Sequence, residues 1–97
     1  MSEKDAIIAR LRAALPDLRR RWPIHSLALF GSMMRDDATV NSDLDVLVEF
    51  AQPIDVFAFL ALEEELAGLA GRRVDLVSRR ALKRHMGQRI LAESVPL

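Results

Sequence analysis

Three short apolar runs, at 26–30, 43–50 and 74–77, alternate with turn residues and stretches of helical periodicity. This alternation constrains the fold more than any other feature of the chain. Each run has the length of a strand, and the segments between have the period of helices. Ile7, Ile8, Leu11, Leu15 and Leu18 recur at spacings of three and four, so 4–21 is expected to be helix with one buried face, bent or broken near residue 15 by Pro16. Ser2 is placed to cap it, with Asp5 three residues on. Trp22-Pro23 ends it, and the first strand then runs from Ser26 to Phe30. Gly31-Ser32 turns the chain into a short helix through Met33, Met34 and Arg35, and 36–42 is a polar loop. The second strand is 43–50. A helix over 54–69 carries Val56, Phe57, Leu60, Leu62 and Leu66 as its apolar stripe, with Gly68 and Gly71 bracketing its end. A strand over 74–77 precedes a last helix, which starts at Arg79 behind a Ser78 cap, runs to about Glu93 with Leu82, Met86, Ile90 and Leu91 on one face, and ends before Pro96. The order predicts one α/β (or α+β) domain over 1–97: a small mixed sheet with helices packed on it.

Composition narrows the function. With no Cys, there is no disulfide scaffold, no Cys-ligated metal and no thiol catalysis. No apolar run has the length of a membrane span, and the amphipathic, acidic start does not read as a signal peptide, so a cytoplasmic protein is expected. The formal net charge of zero excludes a uniformly basic nucleic-acid binder. That zero hides an uneven distribution. Residues 1–35 carry a net +4, residues 36–65 a net −9 without one Lys or Arg, and residues 66–97 a net +5. Solvated surfaces usually mix both signs. Some of the central acids therefore suit an external cation, while Glu63, Glu64 and Glu65 read as decoration of a helix surface.

Three of the acids stand on strands. Side chains alternate faces along a strand, so Asp43 and Asp45 point the same way, about 6.6 Å apart. Leu44, Val46 and Val48 point the other way, into the core. Asp75 lies inside the apolar run Val74–Val77, where a carboxylate is costly unless paired or metal-bound. If the two strands are neighbours, three carboxylates converge. Oxygen ligands alone suit Mg²⁺ or Mn²⁺, and two such ions could clamp an in-line phosphoryl displacement. The same pattern also fits a turn cap at Asp43, a surface ion pair at Asp45 and a strand-end residue at Asp75. Gly31-Ser32 after a strand favours the first reading. The glycine lets backbone approach a ligand, the hydroxyl and nearby N–H groups can hold phosphate oxygens, and Arg35 lies one turn on.

The stretch LALFGSMMRDDATVNSDLDVLVEF resembles the signature of the polymerase-β-like nucleotidyltransferase superfamily, and most of all its minimal nucleotidyltransferases, the MNT-domain proteins. The similarity continues through the GRRVDLVS segment to the end of the chain. The resemblance implies that Gly31 and Ser32 hold the nucleotide β- and γ-phosphates, and that Asp43 and Asp45 bind two Mg²⁺ ions. Asp75 would be the third metal ligand, which also helps to activate the attacking hydroxyl. It implies transfer of AMP from ATP with release of pyrophosphate. In the toxin–antitoxin branch the acceptor is a tyrosine of a HEPN-domain RNase toxin, which makes a hetero-oligomer with that partner the expected assembly. Two departures stand out. Asp36 replaces a usual glycine, and Met33 and Met34 replace smaller residues.

Other chemistries fit poorly. His25 and His85 are isolated, so a zinc site or a hydrolase triad is not supported, and both read as surface or structural residues. The basic tail of Arg72, Arg73, Arg79, Arg80, Lys83, Arg84 and Arg89 lacks interleaved aromatics, so it reads as a solvated face or a protein-docking surface, with nucleic acid disfavoured as a direct substrate. Arg19, Arg20 and Arg21 read as solvated. Trp22, Phe50, Phe57 and Phe59 are expected in the core. The alternatives are a non-catalytic antitoxin acting by contact alone and a nucleotidyltransferase for another acceptor.

Overall fold

In a computed structural model, which describes residues 2–35, 42–82 and 84–97 (the side chains of Arg84 and His85 excepted), three α-helices pack on a four-stranded mixed sheet. The elements are α1 (Glu3–Arg21), β1 (Ile24–Phe30), β2 (Leu44–Phe50), α2 (Val56–Ala70), β3 (Val74–Ser78), α3 (Arg84–Glu93) and β4 (Val95–Pro96), with a single 3-10 turn at Arg79–Ala81. The sheet order is β3-β2-β1-β4. β1 is antiparallel to β2 and to β4, whereas β2 and β3 are parallel and joined through α2. A parallel pair needs such a crossover. The predicted fold class holds.

Ser2 caps α1, its hydroxyl accepting from the Asp5 N–H at 3.1 Å. Pro16 neither breaks nor ends the helix. It lies on the exposed face, between Leu15 and Leu18, which are anchored in the core on either side of it. The core face of the sheet follows the strand alternation. Leu44, Val46 and Val48 on β2 and Leu29 on β1 meet Ile7, Leu11 and Leu18 of α1 and Leu62 and Leu66 of α2. Fully burying each of these side chains contributes roughly 1.5–3 kcal/mol. Met33 and Met34 are also buried, which explains their bulk: they plug the turn after β1 into the core.

The α2 stripe is a correction. The inward face is Phe59, Leu62, Leu66 and Ala70, whereas Val56, Phe57 and Leu60 are 62%, 80% and 52% exposed. The predicted set combined two faces of one helix, and Phe57 is a surface residue. Phe59 packs edge-on against Phe50, their centroids 6.2 Å apart. Gly68 lies inside the helix, and Gly71 alone forms the left-handed C-cap, at φ 73°. Glu63 and Glu65 are more than decoration. The Glu63 carboxylate accepts the Leu76 N–H at 2.8 Å, and Glu65 pairs with Arg21, which Asp17 also holds. Arg21 is exposed, as expected, but its guanidinium is held by both carboxylates.

Several boundaries also shift. β1 begins at Ile24 rather than Ser26, and β2 begins at Leu44, one residue after Asp43. The single predicted helix after Ser78 is a 3-10 turn followed by α3, and Ser78 makes no side-chain cap. Pro96 does not merely stop the chain: Val95 and Pro96 pair with Leu29 and Ala28 as the edge strand. The turn after Gly31 is held by the Met34 and Arg35 N–H groups donating to the Gly31 carbonyl, without a helix forming. The predicted loop at 36–41, Asp36 included, and Lys83 lie outside the described residues, as do the side chains of Arg84 and His85. Among the described residues no helix is long and apolar enough to cross a membrane.

Candidate active site

The second face of the sheet carries the polar residues. Residues 45 and 47 of β2 point away from the α1–α2 core. α3 lies over this face, where Met86 and Ile90 line a cavity together with Phe30 and Asp45, and Leu91 lines another with Leu47. The first cavity, about 390 Å³, is bounded by Gly31, Ser32, Arg35, Asp45, Arg89 and Glu93. That volume is within the range of small-ligand sites.

Gly31 is required here on two grounds. Its φ is +81°, in the left-handed region. A Cβ built on it would also lie 2.0 Å from the Asp45 Oδ2. The Asp45 carboxylate therefore sits against the bare backbone of the turn, in contact that a larger residue would prevent. Ser32 is half-buried beside it, and Arg35 closes the turn.

Parallel pairing places Asp45 directly opposite Asp75. Burial, then the Asp75 carboxylate, then that of Asp43, push the Asp45 carboxyl above its ordinary value, and the Arg35 guanidinium pulls it part of the way back. Two sequence expectations are modified. Asp75 is exposed, because β3 is an edge strand of the sheet. Asp43 is not left without a cation: Arg73, just before β3, makes an ion pair with it at 3.1 Å. Asp43 and Asp75 flank Asp45 outside the cavity lining. Among the described residues, no three carboxylates are yet drawn close enough to hold an ion. The donor chemistry nonetheless fits a divalent cation. The set is all oxygen, Asp45 and Asp75 lie in register on adjacent strands with Asp43 just before the first of them, and the central member carries two like-charged neighbours that a cation would relieve.

The structure thus brings Gly31, Ser32, Arg35 and Asp45 into one cavity, with Asp75 and Asp43 beside it. Sequence reasoning missed that α3 closes this cavity through Met86, Arg89, Ile90 and Glu93. The i, i+4 pairing of Arg89 with Glu93 was the signal available, and it did not say which element that face would meet. It also missed Arg72, which donates to the Ser42 carbonyl at 3.0 Å and ties down the approach to Asp43. His25 is exposed and stands 3.8 Å from Glu49, away from the cavity.

The sequence model of the nucleotidyltransferase domain matches residues 11–97. The chain belongs to that family. It is 39% identical over 85 residues to the protein adenylyltransferase MntA of Thermococcus cleftensis, spanning 88% of this chain and 86% of that protein. Its fold matches a solved structure described as a minimal nucleotidyltransferase with a TM-score of 0.82 and 35% identity, covering 97% of this chain and 95% of that one. A TM-score of 0.59 with 26% identity relates it to a chain from a complex of Shewanella oneidensis tri-AMPylated HEPN toxin with MNT antitoxin, over 97% of this chain and 67% of the other. This nucleotidyltransferase is accordingly a homologue of the MNT antitoxins, and the resemblance read from its Gly-Ser and Asp-x-Asp residues holds at the level of the family.

Proposed function

We propose that the chain is an Mg²⁺-dependent protein adenylyltransferase that transfers AMP from ATP to a tyrosine hydroxyl of a HEPN-domain toxin and acts as its antitoxin, with residues 1–97 as one catalytic domain. The observation that carries this reading is the contact of the Asp45 carboxylate with the backbone of Gly31 in one cavity, which supports taking the first as a metal ligand and the second as a phosphate-binding turn. The names of the relatives support the donor and the partner: one is a protein adenylyltransferase, and another was solved with an AMPylated HEPN toxin.

In this reading the Gly31-Ser32 turn holds the β- and γ-phosphates, its N–H groups and the Ser32 hydroxyl donating to phosphate oxygens. Arg35 balances their charge from the end of the same turn. Asp43, Asp45 and Asp75 would hold the two Mg²⁺ ions, or Mn²⁺ in their place, and the ions supply charge neutralisation and alignment of the triphosphate. The Asp75 carboxylate, exposed at the sheet edge, takes the proton of the acceptor hydroxyl. The hydroxyl oxygen forms a bond to the α-phosphorus as the bond from that phosphorus to the β-bridging oxygen breaks, and pyrophosphate leaves. An edge position suits this role, because a macromolecular acceptor must reach the carboxylate from outside. The exposed Val56, Phe57 and Leu60, with Met86 and Leu91, support association with another chain.

Intact-mass spectrometry tests the proposal. A HEPN toxin encoded beside this chain, incubated with it, ATP and Mg²⁺, is expected to gain the mass of one or more AMP groups on tyrosine, and Asp45→Asn to abolish the gain. An unmodified toxin that is still inhibited by both proteins would replace catalysis with neutralisation by contact.

A further inference from the structure

Two arginines line the cavity, and one carboxylate lies beside both. Glu93, at the end of α3, accepts from the Arg35 guanidinium at 3.3 Å and lies 3.9 Å from Nε of Arg89. All three residues line the same cavity as Gly31, Ser32 and Asp45. A carboxylate among the groups that would receive a triphosphate is an anion in the place of an anion. Its backbone is anchored: Val95 and Pro96, two and three residues on, pair with β1, the strand that leads into Gly31. The backbone of Arg35 is fixed as well, through its N–H to the Gly31 carbonyl. What can change is the long Arg35 side chain, which is half-exposed.

Resting on the nucleotidyltransferase reading above, we propose that Glu93 is a resident competitor for the triphosphate, holding Arg35 until the nucleotide phosphates displace it. Arg35 then exchanges one charge-assisted hydrogen bond for another, so part of the phosphate affinity is consumed in breaking the Glu93 pair. Glu93 thereby sets nucleotide affinity without contacting the nucleotide, and removing its charge tightens binding. If Glu93 instead only positioned Arg35 for the phosphates, removing its charge would weaken binding, so the sign of the effect decides.

The test is calorimetric titration of the full chain with a non-hydrolysable ATP analogue, in Mg²⁺, for wild type, Glu93→Gln, Arg35→Met and the double variant. Glu93→Gln is expected to tighten binding roughly two- to fivefold, the range open to a partly exposed ion pair. Glu93→Asp, which withdraws the carboxylate by one methylene, should give a smaller shift in the same direction. Arg35→Met should weaken binding about tenfold, and in that background Glu93→Gln should have a smaller effect than in wild type. Adenosine, without phosphates, should bind all five proteins equally. Weaker or unchanged binding of the analogue by Glu93→Gln, or an effect undiminished without Arg35, overturns the inference while leaving the nucleotidyltransferase reading intact. Absence of analogue binding by the wild-type protein overturns both.

Discussion

Asp45 sits where backbone, charge and ligand chemistry meet. Its carboxylate touches Gly31 and is flanked across and along the sheet by Asp75 and Asp43. A carboxyl whose folded-state value is raised binds protons more readily in the folded chain. Stability of the metal-free protein should therefore fall as pH rises from the ordinary carboxylate value of about 4 through the raised folded value. Asp45→Asn removes that fall. In chelator at neutral pH it should raise the melting temperature by a few degrees, given about 4–8 °C per kcal/mol for a domain of this size, while abolishing transfer. Melting curves across pH, for both proteins, check this. Gly31→Ala should destabilise by about 1–2 kcal/mol from the left-handed backbone alone and displace the Asp45 carboxylate. Urea unfolding and nucleotide titration together would register both effects. These residues were legible because Gly-Ser and Asp-x-Asp are local in sequence. The Arg73 ion pair with Asp43 and the exposure of Asp75 were not, because both depend on β3 ending as the edge of the sheet.

Between elements, the ties are salt bridges on the surface and apolar contacts beneath. Arg21, at the end of α1, reaches Asp17 and Glu65, and so joins α1 to α2. The Arg21 hydrogen bond holds the Glu65 carboxyl below its ordinary value. The stability it gives is present above that value and is lost as pH falls through the depressed one, the reverse of Asp45. Arg21→Met should lower stability slightly at pH 7 and leave it unchanged once the carboxylates are protonated. Denaturant unfolding at the two pH values measures it. Helical periodicity made α1 readable to within a residue at its start, and the strand alternation on β2 put Leu44, Val46 and Val48 inward as found. α2 was misread because it is apolar on both faces. Val56, Phe57 and Leu60 recur at helical spacing as regularly as Phe59, Leu62 and Leu66 do, and periodicity cannot say which stripe the sheet covers. β4 is two residues long, so only the free edge of β1 defines it.

For the whole molecule, the uneven charge has a structural meaning. The acidic middle of the sequence supplies two aspartates of the cluster, and the basic segments on either side supply Arg35, Arg73 and Arg89 around it. In the proposed reading, the apolar residues left outside, Val56, Phe57 and Leu60 among them, suit association with another chain. Phe57→Ser should change folding stability by no more than about 0.5 kcal/mol, as expected at an exposed position. It should weaken association with the HEPN partner, and co-purification of the two chains with a parallel melting curve separates those effects. The central claim, that this chain moves a nucleoside monophosphate, is tested most directly with ATP labelled at the α or the γ phosphate, in Mg²⁺ with the partner protein and an Asp45→Asn control. The account predicts partner-bound label from the α position only, lost in the variant. Label from the γ position would mean phosphoryl transfer, and would contradict it.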